Sequence, residues 1–411
     1  MLKRVLLPLA VATLFFACLS VPIQGQRGRP PVRLPDGAGR ELVQSACTRC
    51  HALDLIADAG YTRNDWAITV ASMVRLPSDQ SELIEDYLVE NFPAKRKLPA
   101  IILAGSVSVS IRNWVAPSPG SRPHDPLATA DGAIWWTGNW ADVLGRLDPR
   151  TGEMKEFPLP PKTGPRGLSA DKDGNIWFAG NSGAYVGKFD PKTSIVTHYE
   201  MPDPDARDPN ALVIDQNGTL WFTLQNSNMI GRLDPQTGEI KLAAAPTPRS
   251  NPDGIAIDSS GVPWFAQFGV NKLARVDPNT MVITEYALPN PQTRPRRLAL
   301  TSDGVIWYSD YERGYLGRLD PKTGAVKEWL SPGGRGSQPY AMTAVKDVIW
   351  YSESGLFPNT LVRFDPRTEK FQTWTIPFGG GVVPNMTPTA GGNLVLASSR
   401  RNRIVLVEVR D

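Results

Sequence analysis

The sequence predicts a mostly β protein: a seven-bladed β-propeller preceded by a small all-α domain. Three observations lead to this fold class. Tryptophan recurs about every 43 residues from Trp135 onward, the last repeat lacks an outer strand that an earlier segment can supply, and helical patterns are confined to residues 37–93. Gly and Pro number 36 and 38 of 411 residues, a share typical of chains with many tight turns. The net charge of +3 argues against nucleic acid binding.

Residues 1–25 have the pattern of a secretory signal peptide. Two basic residues precede an apolar stretch, Val5 to Ser20, which is too short to span a bilayer comfortably, and a small-residue cleavage site ends at Gly25. The alternatives are a membrane anchor and a lipoprotein signal in which Cys18 is lipidated. The sequence therefore predicts a periplasmic or secreted protein whose mature chain has no transmembrane segment.

A C-x-x-C-H motif, the attachment sequence of c-type haem, extends from Cys47 to His51. The thiols of Cys47 and Cys50 would bind the haem covalently, and His51 would be the proximal iron ligand. Met73 is the default distal ligand, because no other Met or His occurs between His51 and residue 105. The alternatives are a redox disulfide, which expects a thioredoxin-like context, and a zinc site, which needs a further ligand.

Three predicted helices surround this motif. The first covers residues 40–46, the second is capped by Thr62, and the third is capped by Ser78 or Asp79. Together with the C-x-x-C-H motif they resemble the small c-type cytochrome domains over residues 37–93. The resemblance implies covalent haem c and electron transfer.

Residues 106–411, which follow a predicted linker at 94–105, consist of seven repeats of about 43 residues. Trp recurs at positions 135, 177, 221, 264, 307 and 350, and Val395 takes this place in the seventh repeat. Each unit reads as four short strands, a to d, joined by an Asp-Gly hairpin between a and b and an Asp-Pro turn between c and d. This is the pattern of a propeller blade. A solenoid is the alternative, and it would need polar capping repeats.

The ends of the repeat region predict ring closure. The seventh repeat stops after three strands, and Val107 to Pro117 has the alternation expected of the missing strand d. The repeats resemble the streptogramin (virginiamycin B) lyase family of seven-bladed propellers over residues 107–410, on their Gly-x-Ile-Trp-Phe and Ile/Leu-Gly-Arg-Leu-Asp-Pro-x-Thr-Gly runs. We interpret the recurring Trp and Asp as structural. A substrate platform made of the tryptophans is the alternative.

One face of the ring collects the variable side chains. In each repeat a Pro in the loop between strands d and a is followed by a variable residue: His124, Arg166, Asn210, Asp253, Arg296, Tyr340 and Asn385. Strand b ends on the same face, at Gly138, Gly180, Leu224, Gln267, Asp310, Glu353 and Ser398. Polar residues that converge on a channel mouth predict a binding site. The alternative is a network that bonds only to itself and to water.

The lyase resemblance implies catalytic histidines after Pro in two neighbouring blades, assisted by a Mg²⁺ ion. In this chain only His124 follows such a Pro, and His198 is assigned to an outer strand. The catalytic candidates are His124, Tyr340 and Glu353. Three carboxylates on the same face, Asp253, Asp310 and Glu353, are the candidate Mg²⁺ ligands.

Three functions remain open from the sequence. The first is an exported haem protein, in which the helical domain transfers electrons and the propeller binds a substrate or a redox partner. The second is a lyase-like enzyme, a Mg²⁺-dependent C–O lyase, with a cytochrome appended. The third is a non-catalytic binding propeller. The intact C-x-x-C-H favours the first, and the incomplete histidine pair weighs against the second.

Overall fold

The computed structural model describes residues 33–47, 56, 60–74, 76–94, 98–379 and 381–410. Three helices precede a ring of seven four-stranded antiparallel sheets, so the predicted seven-bladed propeller is confirmed. The helices are α1 (Arg40–Cys47), α2 (Arg63–Met73) and α3 (Ser78–Asn91). The predicted signal peptide, Cys50 and His51 lie outside the described residues, as does the side chain of Met73.

The strands follow in chain order, and the ring begins at β3. Two strands precede it: β1 (Leu98–Pro99) and β2 (Ser108–Val115). Blades 1 to 3 are built from β3 (Pro123–Ala128), β4 (Ile134–Gly138), β5 (Val143–Leu147), β6 (Met154–Pro158), β7 (Pro165–Ala170), β8 (Ile176–Gly180), β9 (Tyr185–Asp190), β10 (Ile195–Glu200), β11 (Pro209–Ile214), β12 (Leu220–Leu224), β13 (Met229–Leu233) and β14 (Ile240–Ala244). Blades 4 and 5 are built from β15 (Pro252–Ile257), β16 (Pro263–Gln267), β17 (Lys272–Val276), β18 (Ile283–Ala287), β19 (Pro295–Leu300), β20 (Ile306–Asp310), β21 (Tyr315–Leu319) and β22 (Val326–Leu330).

The last two blades contain the irregular elements. Blade 6 is built from β23 (Pro339–Val345), β24 (Val348–Glu353), β26 (Thr360–Asp365) and β27 (Lys370–Thr375), with the short β25 (Leu356–Phe357) between β24 and β26. Blade 7 is built from β28 (Met386–Pro388), β29 (Leu394–Ser398), β30 (Arg403–Arg410) and β2. A 3-10 helix, Ser399–Arg401, connects β29 to β30.

The recurring tryptophans are structural, as the sequence predicted. Every residue of β8, β12 and β16 is buried, because both faces of strand b pack against neighbouring blades. Each of these strands carries a Trp whose indole N–H donates to the Asp six residues earlier, in the hairpin between strands a and b. The Nε1–Oδ2 distance is 2.9 Å for Trp177 to Asp171 and 3.0 Å for Trp264 to Asp258. The bond satisfies a buried donor and fixes the hairpin.

The glycine of strand c, which follows Ile, Leu or Val and precedes Arg or Lys, makes room for an aromatic ring. Gly231 of strand c pairs with Phe222 of strand b, and a Cβ on Gly231 would lie 2.1 Å from Phe222 Cζ. Gly187 has the same relation to Phe178. A side chain at either position would displace the ring, which explains why this motif predicts the blade so well.

The predicted ring closure is confirmed. β2 pairs with β30 in antiparallel register from Ser108↔Arg410 to Val115↔Arg403, so a segment preceding blade 1 supplies strand d of blade 7. Part of the predicted linker is held along blade 6. Leu98 of β1 pairs in parallel with Leu356 of β25, and the Leu103 amide donates to Thr373 Oγ1 at 2.7 Å.

The helices have their own apolar core and contact the propeller. Val43, Trp66 and Ile84 of α1, α2 and α3 are buried in that core. Thr62 caps α2 as predicted, whereas α3 begins at Ser78 with Pro77 as its N-cap and no side-chain capping bond. These helices alone do not support the predicted cytochrome fold, since the rest of the haem motif after Cys47 lies outside the described residues. None of the described helices combines the length and apolar character needed to cross a membrane.

Candidate functional site

The loops between strands d and a meet at one face of the ring and enclose a cavity of about 270 Å³. We call it the channel-mouth cavity. It is lined by Arg122, His124, Asn139, Arg166, Asn210, Gln225, Asp253, Arg296, Tyr311, Tyr340, Val382, Pro384, Ser399 and Arg400. Six of the seven variable residues that follow a Pro therefore meet here. The seventh, Asn385, lies beside the cavity and donates to Asp125 Oδ2 at 2.8 Å.

A β-bulge turns these side chains inward. In blades 1 to 6 the pairing of strands a and b shifts register between the Pro and the third residue after it. In blade 1 the shift falls between Pro123 and Pro126, so His124 and Asp125 are the two residues without a regular cross-strand partner. Bulges re-aim side chains at the ends of strands, and here the repeated bulge makes a ring of loop residues into one site.

The ends of strand b contribute differently from the prediction. The cavity is lined by Asn139, Gln225, Tyr311 and Ser399, each one residue beyond the predicted position. Glu353, a catalytic candidate, is fully buried inside blade 6. Its Oε1 accepts bonds from Ser331 Oγ at 2.6 Å and the Gly333 amide at 2.7 Å. Glu353 thus stabilises a loop of blade 6 and does not line the cavity.

His124 is paired with the neighbouring carboxylate of Asp125, whose Oδ1 lies 2.5 Å from His124 Nδ1. Burial lowers the pKa of His124 to about 4, although the bond to Asp125 acts in the opposite direction. Burial by itself would raise the pKa of Asp125, but hydrogen bonds from His124 and Asn385 and the charge of Arg297 lower it. His124 is therefore neutral at pH 7, and with Nδ1 donating to Asp125, Nε2 is left as an acceptor.

Lowering the pH from about 6.5 to about 4 is expected to destabilise the fold through His124. In this interval the unfolded chain binds a proton at the histidine and the folded chain does not, so the free energy of unfolding falls as the pH falls. Asp125, Arg166 and Arg297 are the charged groups that act on His124. The melting temperature should decrease less steeply with acid in His124→Gln than in the wild type. The control is His198→Gln, and equal slopes in all three proteins would contradict the assignment.

Asp253 organises the opposite side of the cavity. It accepts bonds from Asn210 Nδ2 at 3.0 Å, Arg296 Nε at 3.2 Å and Arg297 Nη1 at 2.9 Å. The guanidinium of Arg296 also lies over the ring of Tyr340, with Cζ 3.7 Å from the ring centroid. Tyr340 is thereby held in place at the wall, and the charge of Asp253 is balanced by two arginines.

Arg122, Tyr311 and Arg400 are among the lining residues that sequence reasoning missed. Arg122 precedes the Pro of its loop, and the backbone before this Pro is left-handed at Arg122, Gly164, Asp208, Asn251 and Gln338. The signal that could have found it is this recurrent position before the Pro. Tyr311 and Arg400 lie one and two residues beyond the ends of β20 and β29, in the loops between strands b and c, whereas the sequence reasoning considered only the last residue of strand b.

The carboxylates considered as Mg²⁺ ligands do not converge. Asp310 is fully buried in blade 5, where burial raises its pKa, and Asp253 is engaged with arginines. Within the described ranges no three His, Cys, Asp or Glu side chains are grouped so that they could hold a metal ion. His198 stacks on Tyr185 at 4.2 Å on the outer strand β10, where the sequence assigned it.

A larger groove of about 700 Å³ lies between blades on the opposite face. Its Asp347 carboxylate accepts two bonds from Ser302, and its Arg363 lies 3.7 Å from Asp365. The polar groups of this groove thus bond to one another. By contrast, side chains from all seven blades converge at or beside the channel-mouth cavity. We therefore place the candidate site at the channel mouth.

Comparisons with known proteins identify the propeller. Residues 102–355 match the sequence profile of the Virginiamycin B lyase family. A streptogramin B lyase structure is similar to this chain at 26% identity with a TM-score of 0.67, covering 74% of this chain and 98% of the lyase. A catalytically inactive virginiamycin B lyase from Staphylococcus aureus, solved with quinupristin, has 22% identity and a TM-score of 0.67, with coverage of 73% and 99%.

A more distant structure shares the fold alone with this chain. Hydrazine synthase from Kuenenia stuttgartiensis is similar at 13% identity and a TM-score of 0.59, covering 71% of this chain and 95% of that one. No curated protein sequence matches the chain significantly.

Proposed function

The chain belongs to the virginiamycin B lyase family, and from this premise we propose that its propeller is a lyase-like enzyme whose substrate occupies the channel-mouth cavity. The observation that carries the proposal is a neutral, half-buried His124 held through Nδ1 by Asp125 at the wall of that cavity. At pH 7 His124 is neutral and Asp125 is charged, which are the protonation states expected of a base and its supporting carboxylate.

The proposed reaction is an elimination that breaks a carbon–oxygen bond. His124 Nε2 accepts a proton from a substrate carbon, and the electron pair of that C–H bond forms a carbon–carbon double bond. The C–O bond breaks, and its electron pair leaves with the oxygen. Asp125 stabilises the imidazolium that forms and keeps its ring oriented. The step needs no oxidant, reductant or water.

This mechanism departs from the family pattern at the second histidine and at Mg²⁺. The donors at the cavity do not fit a Mg²⁺ ion held by the protein, because the lining carboxylate Asp253 is bound by three donors and Asp125 is paired with His124. No step is therefore assigned to the metal. Arginines at the cavity supply the positive charge that a leaving oxygen requires.

Quinupristin is the substrate with which we test the proposal, since a related lyase was solved with it. Purified protein should convert it to a linear product of unchanged mass but altered chromatographic retention. Hydrolysis would instead add the mass of one water molecule. A folded protein that leaves quinupristin intact, or a product that has gained water, would contradict the proposed elimination.

A second candidate function, haem-linked electron transfer, is favoured by the position of the helices. Arg401, beside the cavity residue Arg400, donates to Asp65 Oδ1 at 3.1 Å and to Thr69 Oγ1 at 3.0 Å on α2. Tyr61 lines a smaller cavity of about 160 Å³ together with Tyr311 and Arg400, which also line the channel mouth. The helices that flank the C-x-x-C-H motif therefore border the candidate site.

Among the residues proposed to hold haem c, Cys47 is at the end of α1, half-buried and packed against the helical core. This placement fits attachment through Cys47. Cys50 would form the other thioether, and His51 and Met73 would bind the iron. The group would supply one-electron chemistry, exchanged with a redox partner protein. Export to the periplasm or beyond belongs to the same proposal, since haem attachment of this type accompanies the predicted signal peptide.

Protein from a host with cytochrome c maturation is expected to carry covalent haem. The denatured polypeptide should gain the mass of one haem in the wild type, and Cys50→Ser should weaken retention after denaturation. Met73→Ala should shift the reduction potential downward and remove the Met–iron absorption band, because a thioether ligand raises the potential. A haem-free wild-type protein would rule out this candidate, and an unchanged Met73→Ala spectrum would remove Met73 from the iron.

A further inference from the structure

We infer that Arg122, Arg166 and Arg400 form an oxyanion subsite in the channel-mouth cavity that binds a carboxylate, the group an ester releases in an elimination. The inference deepens the proposed function and rests on it, because it assigns three residues of this chain to the carboxylate that leaves in the elimination. Two observations support the inference. The described residues provide these arginines with no carboxylate partner, and positive charge is in excess around them.

Arginines around the cavity fall into two groups. Arg296 and Arg297 are bound to Asp253, and the neighbouring Arg401 is bound to Asp65. By contrast, Arg122 and Arg166 line the cavity without a carboxylate partner among the residues that the structure describes. The same holds for Arg400, whose Nη1 lies 3.4 Å from Tyr61 Oη. Buried or half-buried arginines are normally paired, so three that have no carboxylate partner within the described ranges make this cavity a candidate site for an anion.

The contacts of Arg122 and Arg166 leave hydrogen-bond donors unused. The guanidinium of Arg122 lies over the ring of Trp140, with Cζ 4.3 Å from the centroid, which orients the group without using its N–H donors. Arg166 donates through Nη1 to Asn210 Oδ1 at 3.1 Å, while its Nε is buried and has no partner in the described part of the chain. A buried N–H without an acceptor is costly, and an oxygen ligand would satisfy it.

Repulsion among the three cations adds a second argument. Burial, together with the charges of Arg400 and Arg166, lowers the pKa of Arg122 to about 10. The two acids of the site do not relieve this repulsion, since Asp253 is bound to Arg296 and Arg297 and Asp125 is bound to His124. An anion between the three arginines would be attracted by all of them, in surroundings that screen charge less than bulk water does.

The shape of the ligand follows from the chemistry of the donors. Guanidinium groups present pairs of parallel N–H donors that match the two oxygens of a carboxylate. In an ester elimination the leaving oxygen becomes part of such a carboxylate, and its charge develops as the C–O bond breaks. Donors already placed around that charge would lower the barrier without reorganising. The arginines would then do what the resemblance assigns to a Mg²⁺ ion.

Anion binding can be measured without turnover. We propose isothermal titration of the full-length protein with sodium acetate and, separately, with inorganic phosphate, at low ionic strength and pH 7. Acetate should bind to the wild type, and Arg166→Gln should weaken it by about tenfold or more, as expected for the loss of a charge-assisted bond. Arg166→Lys should retain part of the affinity, because it keeps the charge and loses the paired donors. The control is Arg367→Gln, whose side chain is 86% exposed and lies away from this face.

The outcomes separate this inference from the proposed elimination. His124→Ala should still bind acetate while losing turnover, so a failed lyase assay with acetate binding intact would overturn the elimination and leave the subsite. Equal acetate affinity in the wild type, Arg166→Gln and Arg122→Gln would overturn the subsite, provided that thermal unfolding shows each variant folded. Binding of phosphate without binding of acetate would overturn the assignment to a carboxylate.

Discussion

His124→Ala is expected to lower kcat/KM for the ring opening of quinupristin by about 100-fold to 10,000-fold, the contribution usual for a general base. The reason is geometric: His124 is the histidine that lines the cavity, and Asp125 already holds its Nδ1. Initial rates should be measured by chromatography of the linear product.

The variants Asp125→Asn and His198→Ala define the role of His124. Asp125→Asn should reduce kcat more than it changes KM, because the amide still supports the ring but cannot stabilise the imidazolium as a carboxylate does. His198→Ala should leave the rate unchanged, since that residue stacks on Tyr185 at the outer strand of blade 2. Wild-type rates in His124→Ala would show that another group accepts the proton.

Deleting Ser108–Val115 is expected to abolish soluble expression or to lower stability by on the order of 5 kcal/mol or more, as judged from the loss of a whole strand of backbone hydrogen bonds. This strand is the outer strand of blade 7, and its removal exposes the edge of β30 over eight paired positions. An unpaired edge of this length is a site for aggregation. Chemical denaturation and light scattering should be compared with the wild type.

Removal of residues 33–94 is the matched control for this deletion. The helices contact the ring through a few side chains such as Arg401 and Tyr61, while the pairing of β2 is part of the ring itself. The propeller should therefore unfold at nearly the same denaturant concentration without the helices. Equal loss of stability in both deletions would mean that β2 is not what closes the ring.

The propeller was predictable because the same packing and hydrogen-bonding residues recur at a constant spacing in the sequence. The Trp that donates to a hairpin Asp occurs in blades 2, 3 and 4, and the Gly under an aromatic ring occurs in blades 1, 2, 3 and 5. The constant spacing of these copies makes the repeat recognisable. The closure by β2 was also predictable, since the count of strands left one unpaired. The helices and the cap at Thr62 could be predicted from local sequence signals. The described helices by themselves do not support the predicted cytochrome fold.

The site was predictable only in part, because its members come from loops of unequal length. The position after the Pro repeats in every blade, so His124, Arg166 and Tyr340 could be assigned to one face. The lining residues at the end of strand b lie one position beyond those predicted. Glu353, at the predicted position, is buried inside blade 6. Arg122 and Arg400 have no carboxylate partner in the described part of the chain, and this depends on which acids lie near them in three dimensions. A sequence repeat carries no information about such distances.

A crystal structure of the His124→Ala protein soaked with quinupristin tests most directly whether the channel mouth is the functional site. We expect the ligand in the channel-mouth cavity, with an ester oxygen within hydrogen-bond distance of Arg166 and a carbon-bound hydrogen facing the space left by the imidazole. Tyr340 should form part of the wall around it. A ligand bound instead in the groove lined by Asp347 and Arg363 on the opposite face would contradict the central claim that the channel mouth is the functional site.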